Sequence, residues 1–127
     1  MIRGLESVTV FSENAKNLAA FYKEKVGLKT STEAEMGEKG EEMYEFKLGE
    51  GSPFYIVDHS ELKGSAKEPK RVIVNFEVDD IENETKRLKD AGVKVIQDIY
   101  HIQGYGMIAT FEDADGNYFQ FAQVRAS

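Results

Sequence analysis

Short segments that are either continuously apolar or alternate between hydrophobic and polar residues recur along the whole chain. Alternation with a period of two residues is typical of strands that bury one face, and short apolar runs are typical of strands buried more deeply. Several of these segments are also rich in β-branched or aromatic residues, which favours strands. The pattern predicts strands over residues 5–11, 28–34, 44–48, 54–57, 72–78, 93–96, 105–111 and 118–124.

Two further segments show the spacing of apolar residues that is typical of helices. The first follows Asn14, a suitable N-cap, and ends before Gly27, a residue that commonly stops helices. The second follows Asp80 and ends at Gly92. The caps lie 80 − 14 = 66 residues apart and the stops 92 − 27 = 65, so strand, helix and three strands occur twice. The expected inner faces of the helices contain Ala15, Leu18, Ala19, Tyr22 and Val26, and then Ile81, Thr85 and Leu88.

The duplicated pattern predicts an α+β fold of two tandem βαβββ modules. Residues 60–70 are polar and contain glycine and proline, which is typical of a linker. We therefore expect half-modules over 1–59 and 71–127 within a single domain spanning 1–127.

Composition narrows the classes of function. The chain has 127 residues, a formal net charge of −7, no cysteine and two histidines. Acidic charge argues against nucleic-acid or anionic-membrane partners, and the missing cysteine excludes disulfides and thiolate metal sites. No apolar run reaches the length of a signal peptide or membrane span. We expect a cytoplasmic protein.

Local sequence adds a resemblance to a known family. Residues 7–11 (SVTVF) followed by 18–22 (LAAFY) and then Gly27 are similar to the opening strand and helix of the vicinal oxygen chelate superfamily, the glyoxalase, bleomycin-resistance and extradiol dioxygenase family. Residues 76–80 (FEVDD), 88–93 (LKDAGV) and 111–117 (FEDADGN) resemble its second half. The resemblance covers nearly the whole chain and implies that each module curls a mixed sheet, the two together forming a cup.

The resemblance also implies where a metal would bind. Metal-dependent members hold a divalent ion with His, Glu or Gln side chains on the first and last strand of each module. The matching positions here are Ser7, Tyr55 (or Ile56), Ile73 and Gln120. Isoleucine has no donor atom and neutral hydroxyls are poor ligands. We therefore predict no metal and no cofactor, although a residual site using Gln120 with Glu77 or His59 stays open.

Alternation along the predicted strands indicates which side chains would line the cup. The set mixes apolar and polar groups, as small-molecule sites do. The expected ligand-binding residues are Ser7, Thr9, Phe11, Tyr55, Ile73, Asn75, Glu77, Tyr118 and Gln120, with Tyr105 as a further contact.

Several features allow two interpretations. Glu77 is a general base or a counter-ion, or it is an exposed residue at a strand end. His59 and His101, expected in or beside loops, are acid–base groups at the rim or surface residues without a role. Tyr105 lies in a flap, or at a tight start of the seventh strand. The acidic stretch 33–42 is a hairpin tip or a ligand-gating loop.

Two functions follow from these expectations. The first is a metal-free module, expected as a homodimer, that binds a small amphipathic molecule without changing it. The second is a divergent lyase, isomerase or dioxygenase, with a reduced metal site or with Glu77 and Tyr55 as candidate catalytic groups.

Overall fold

Each half of the chain forms a four-stranded mixed sheet with a helix against one face. The computed structural model describes residues 1–36 and 39–124, with the backbone alone at Met36. The chain divides into two compact units, Met1–Gly64 and Ser65–Ser127, and their boundary falls inside the predicted linker. The predicted α+β fold of two βαβββ modules is confirmed.

The first unit runs from one strand through one helix to three further strands. The bounds are β1 Val8–Ser12, α1 Ala15–Phe21, β2 Thr30–Met36, β3 Glu41–Phe46 and β4 Phe54–Asp58. Its sheet has the order β1-β4-β3-β2, with β1 parallel to β4 and the other neighbours antiparallel. One π-helical turn, Tyr22–Val26, continues the helix and ends at Gly27, whose φ of 92° lies in the left-handed region.

The second unit consists of β5 Val74–Glu77, α2 Ile81–Asp90, β6 Lys94–Ile102, β7 Gly106–Glu112 and β8 Tyr118–Val124. It repeats the arrangement of the first unit with the strand order β5-β8-β7-β6, and β5 is parallel to β8. None of the described helices is both long and apolar enough to cross a bilayer.

Both helices begin as the sequence predicts. The Asn14 side chain accepts a hydrogen bond from the Asn17 amide at 3.0 Å, and the Asp80 side chain accepts one from the Asn83 amide at 3.2 Å. These bonds satisfy amide groups that a helix leaves without intrahelical partners. The caps therefore fix where each helix starts above its sheet.

The last strand of each unit also holds the helix start. Asp58 Oδ1 accepts a hydrogen bond from the Ala15 amide at 2.7 Å, and Gln123 Oε1 accepts one from the Ile81 amide at 2.8 Å. The two acceptors are 123 − 58 = 65 residues apart, and the two amides 81 − 15 = 66. The repeat thus extends to a tertiary contact made by different residue types.

The core of each unit lies between the helix and one face of the sheet. In the first unit Tyr22 of the π-helical turn packs edge-on against Phe54, with ring centroids 5.3 Å apart. In the second unit four phenylalanines on neighbouring strands form one cluster beneath Ile81 and Leu88. The cluster consists of Phe76, Phe111, Phe119 and Phe121.

Several expected boundaries were wrong, and β1, for example, begins at Val8 and leaves Ser7 outside it. Strand β6 continues to Ile102, so His101 lies within it and not in a loop. Ile73 precedes β5, which begins at Val74. Glu33 and Glu42 belong to strands β2 and β3, so most of the stretch predicted as a hairpin tip is paired sheet, and residues 37–38 lie outside the described residues. Register shifts in β6 interrupt the alternation on which the prediction depended.

Candidate functional site

The sheet faces that point away from the helices carry most of the predicted ligand-binding residues. Phe54 and Ile56 are buried on the helix side, so Tyr55 and Val57 point to the opposite side by alternation. We call this side of the first sheet the first open face. Strand register places on it Thr9, Phe11, Met43, Glu45, Tyr55 and Val57.

A hydrogen-bonded carboxylate lies in the middle of the first open face. Tyr55 Oη donates to Glu45 Oε2 at 2.6 Å across the β3–β4 pair, and Ser31 Oγ donates to Glu45 Oε1 at 2.8 Å. The Tyr55 bond, followed by the Ser31 bond, lowers the pKa of Glu45 below its usual range. The same bond is the largest cause that raises the pKa of Tyr55. At neutral pH the pair is therefore an ionised carboxylate and a protonated phenol.

Phe11 supplies exposed aromatic surface on the same face. Its side chain is 47% exposed, opposite Val57 in the β1–β4 register. Its ring makes an edge contact with His59, with centroids 5.3 Å apart. His59 is half-buried, and its Nδ1 accepts a hydrogen bond from the Glu61 amide at 3.1 Å. This histidine therefore supports an aromatic side chain of the face and the start of the linker.

The corresponding side of the second sheet, the second open face, is lined mainly by uncharged polar groups. Gln120 Nε2 donates to Thr110 Oγ1 at 2.9 Å, and Asn75 lies opposite Gln120 in the β5–β8 register. Tyr118 occupies the next row, opposite Glu112, on the same face. Glu77 is exposed at the end of β5, which agrees with the simpler of its two interpretations.

The remaining predicted residues lie at the ends of strands. Ser7 and Ile73 each precede the first strand of their unit and are half-buried. Tyr105 lies in the turn between β6 and β7 and is 41% exposed. A Cβ at Gly106 would collide with the carbonyl oxygen of Gln123, so the start of β7 is tight. A ligand contact by Tyr105 remains a prediction.

The side chains at the positions implied for a metal do not fit a divalent ion. Ile73 has no donor atom. The hydroxyl of Tyr55 donates to Glu45, and its raised pKa keeps it from becoming a phenolate ligand. Gln120 offers one amide oxygen, which is a weak ligand alone. Among residues 1–36 and 39–124, no group of three or more His, Cys, Asp or Glu side chains is placed to hold a metal.

An acidic cavity of about 220 Å³ lies on the helix side of the first sheet, away from the first open face. It is lined by Glu33, Ala34, Glu35, Glu42 and Tyr44. The Tyr44 hydroxyl donates to Glu42, and burial, followed by that bond, raises the pKa of Tyr44. Lys23 forms an ion pair with Glu33 at 3.0 Å. Part of the negative charge of this cavity is therefore neutralised by a lysine of the same unit.

The sequence interpretation missed Glu45. Its alternation with Tyr44 and Phe46 marked it only as a polar residue on the outer side of a strand. The signal that could have found it is the turn at residues 49–52, because a hairpin pairs positions that are equidistant from its turn. Met43 pairs with Val57 and Glu45 with Tyr55, both centred on residue 50.

Comparison with known proteins identifies the family. The sequence model of the Glyoxalase/Bleomycin resistance protein/Dioxygenase superfamily matches residues 4–121. The chain therefore belongs to this superfamily, as the resemblance implied. It is 27% identical over 119 residues to the uncharacterized protein YetH of Bacillus subtilis, covering 94% of this chain and 97% of YetH.

Solved structures of the same fold include proteins of different description. A glyoxylase/bleomycin resistance protein/dioxygenase domain from Frankia sp. EAN1pec is 18% identical, with a TM-score of 0.79, covering 98% of this chain and 100% of that domain. A mutant of the fosfomycin resistance protein FosX from Listeria monocytogenes, complexed with Mn(II) and 1S,2S-dihydroxypropylphosphonic acid, is 21% identical, with a TM-score of 0.73. The match covers 98% of this chain and 93% of FosX. At these identities the likeness establishes the fold alone.

Proposed function

We propose that this protein binds a small amphipathic molecule on the open faces of its sheets without using a metal ion. The observation that carries the proposal is the Tyr55–Glu45 hydrogen bond of 2.6 Å. It occupies a position at which metal-dependent relatives are expected to place a ligand. The pair offers a polar contact beside apolar side chains, which is the mixture that small-molecule sites use.

The protonation states of this pair argue against proton transfer by Glu45 or Tyr55. A general acid or base works best when its pKa lies near the operating pH. The pKa of Glu45 is lowered from 4.5 and that of Tyr55 is raised from 10.0, so both move away from neutrality. Neither group is therefore suited to exchange a proton at pH 7.

A fluorescence titration with 1-N-phenylnaphthylamine, a neutral amphipathic probe, tests the proposal. We expect saturable binding that is the same with and without EDTA, and weaker binding to Phe11→Ala. Leu62→Ala is the matched control, because Leu62 is 41% exposed in the linker while Phe11 is 47% exposed. Binding that EDTA abolishes, or that Leu62→Ala weakens as much as Phe11→Ala, would contradict the proposal.

The enzymatic alternative is separated by elemental analysis of the purified protein. A stoichiometric Mn, Fe, Ni or Zn content that is lost on changing Gln120 or Glu77 would favour a metal-dependent lyase, isomerase or dioxygenase. The expected homodimer is part of the same proposal, and light scattering after size-exclusion chromatography tests it.

A further inference from the structure

We propose that the first open face selects ligands that carry a positive charge at one end and an apolar group at the other. Glu45 would be the counter-ion, and Met43, Val57 and Phe11 would contact the apolar part. This inference rests on the proposed function, because it names the class of molecule that the same face would take.

The first argument is that hydrogen bonds from neutral groups stabilise the charged form of Glu45. Its carboxylate oxygens accept hydrogen bonds from the hydroxyls of Tyr55 and Ser31. Two other carboxylates whose pKa is lowered also contact a lysine: Glu33 accepts hydrogen bonds from Thr30, the largest cause, and from Lys23, and Asp98 accepts one from Lys89. Within the described part of the chain, no ion pair of 4.0 Å or less involves Glu45. Its negative charge is thus fixed in place without a contacting cation.

Charged groups of both signs lie near the Tyr55–Glu45 pair, but they do not neutralise the carboxylate of Glu45. The positive charge of Lys47 contributes to the lowered pKa of Glu45, although it ranks behind the hydrogen bonds of Tyr55 and Ser31. The negative charge of Glu6 helps to raise the pKa of Tyr55. A ligand cation would therefore compete with Lys47 for Glu45, which makes Lys47 a useful site for a test.

The second argument is the distance from the carboxylate to exposed apolar surface. Met43 follows Glu45 on the same side of β3, Val57 pairs with Met43, and Phe11 pairs with Val57. Neighbouring strands are roughly 4.8 Å apart and same-face residues roughly 6.8 Å apart along a strand, so Glu45 and Phe11 are about 12 Å apart across the sheet. A ligand that reaches both needs its positive group about 1 nm from its aromatic end.

The second open face does not offer the same selection. Its central row consists of Asn75, Gln120 and Thr110, which are uncharged. Amide and hydroxyl groups form hydrogen bonds with both donors and acceptors, so they do not select a ligand by its charge. The two carboxylates on this face lie outside the central row: Glu112 is 3.6 Å from Lys94, and Glu77 is exposed at the end of β5. Charge selection is therefore expected to depend mainly on the first face.

Calorimetric titration of the full chain at low salt tests this inference with two probes of matched shape, 6-phenylhexylammonium and 6-phenylhexan-1-ol. We expect the ammonium to bind about two- to fivefold more tightly, since an exposed ion pair contributes little. In Glu45→Gln the ratio should fall to about one, and in Lys47→Met it should rise. Glu50→Gln removes the same charge in the nearby turn and should leave the ratio unchanged.

The outcomes separate the two proposals. Equal binding of the two probes, or a preference that persists in Glu45→Gln, overturns the charge selection while binding of the neutral naphthylamine probe still supports the proposed function. A preference lost equally in Glu50→Gln also overturns it, because net charge alone would then explain the effect. If none of the three probes binds, both proposals fail.

Discussion

The hydrogen bond between Tyr55 and Glu45 couples the ionisation of two side chains on opposite strands. The bond favours the charged form of Glu45 and the neutral form of Tyr55, so the two pKa values move apart. A carboxylate whose pKa is lowered on folding stabilises the fold above its unfolded pKa. That contribution is lost as the pH falls through the lowered value.

Removing the Tyr55 hydroxyl should therefore make the charged form of Glu45 less stable. In Tyr55→Phe we expect the pKa of Glu45 to rise toward 4.5, because the largest cause of its lowering is gone. Titration of the Glu45 carboxyl carbon by NMR measures this directly. Asp98 is the internal control, since its pKa is lowered by Lys89 and should not change. A Glu45 titration that is identical in both proteins would show that Ser31 and Lys47 suffice.

One buried hydroxyl group in the second unit makes no hydrogen bond with the described residues. Thr85 is 1% exposed on α2, and its Oγ1 has no hydrogen-bond partner within the described residues. We expect Thr85→Val to raise the free energy of unfolding by about 1 kcal/mol, because valine keeps the shape and removes an unsatisfied polar atom.

The control for Thr85 is Thr110, which is also buried but accepts a hydrogen bond from Gln120. Thr110→Val should lower the free energy of unfolding by about 1 kcal/mol. Urea denaturation measures both variants. If the two changes had the same sign, the difference in hydrogen bonding would not be the cause.

Between elements, the strand-to-helix contact made by Asp58 and Gln123 organises each unit. In the first unit Asp58 also accepts a hydrogen bond from the Glu42 amide at 2.8 Å, so one side chain ties β4 to both α1 and β3. Among the hydrogen bonds of the described residues, Gln123 makes only the equivalent contact to α2. The two anchors thus differ in how many elements they join.

This difference predicts unequal losses of stability. Asp58→Ala should lower the free energy of unfolding by about 2 kcal/mol, because two backbone amides lose a charged acceptor. Gln123→Ala should cost about 1 kcal/mol, since one amide loses a neutral acceptor. Urea denaturation measures the free energies, and amide hydrogen exchange at Ala15 and Ile81 tests the local cause. Equal losses would contradict the assignment of the second bond to Asp58.

The sequence was sufficient for those elements whose pattern is local. The caps Asn14 and Asp80 and the strand 118–124 were found because each depends on neighbouring residues. Strand β6 was cut short because its two register shifts break the alternation after Ile96. Glu45 was missed because its importance comes from a cross-strand partner, and pairing is not visible within one strand.

At the scale of the whole molecule, duplication is preserved in geometry more than in residue identity. The β3–β4 pairs are centred on residue 50 and the β7–β8 pairs on residue 115, so the hairpin centres differ by 115 − 50 = 65. This matches the spacing of the helix anchors. The two open faces nevertheless differ in chemistry, one holding an ionised carboxylate and the other mainly amides and hydroxyls.

The metal-free proposal makes a prediction for the stability of the entire protein. A ligand that binds only the folded state at a hundred times its dissociation constant adds about 2.7 kcal/mol, so a specific metal site would raise the melting temperature visibly. We expect the same melting temperature with EDTA and with 1 mM Mn²⁺, to within about 1 °C. KCl at matched ionic strength is the control, because the net charge of −7 makes the fold sensitive to screening. A rise with Mn²⁺ that KCl does not reproduce would mean that the chain assembles a metal site from other residues.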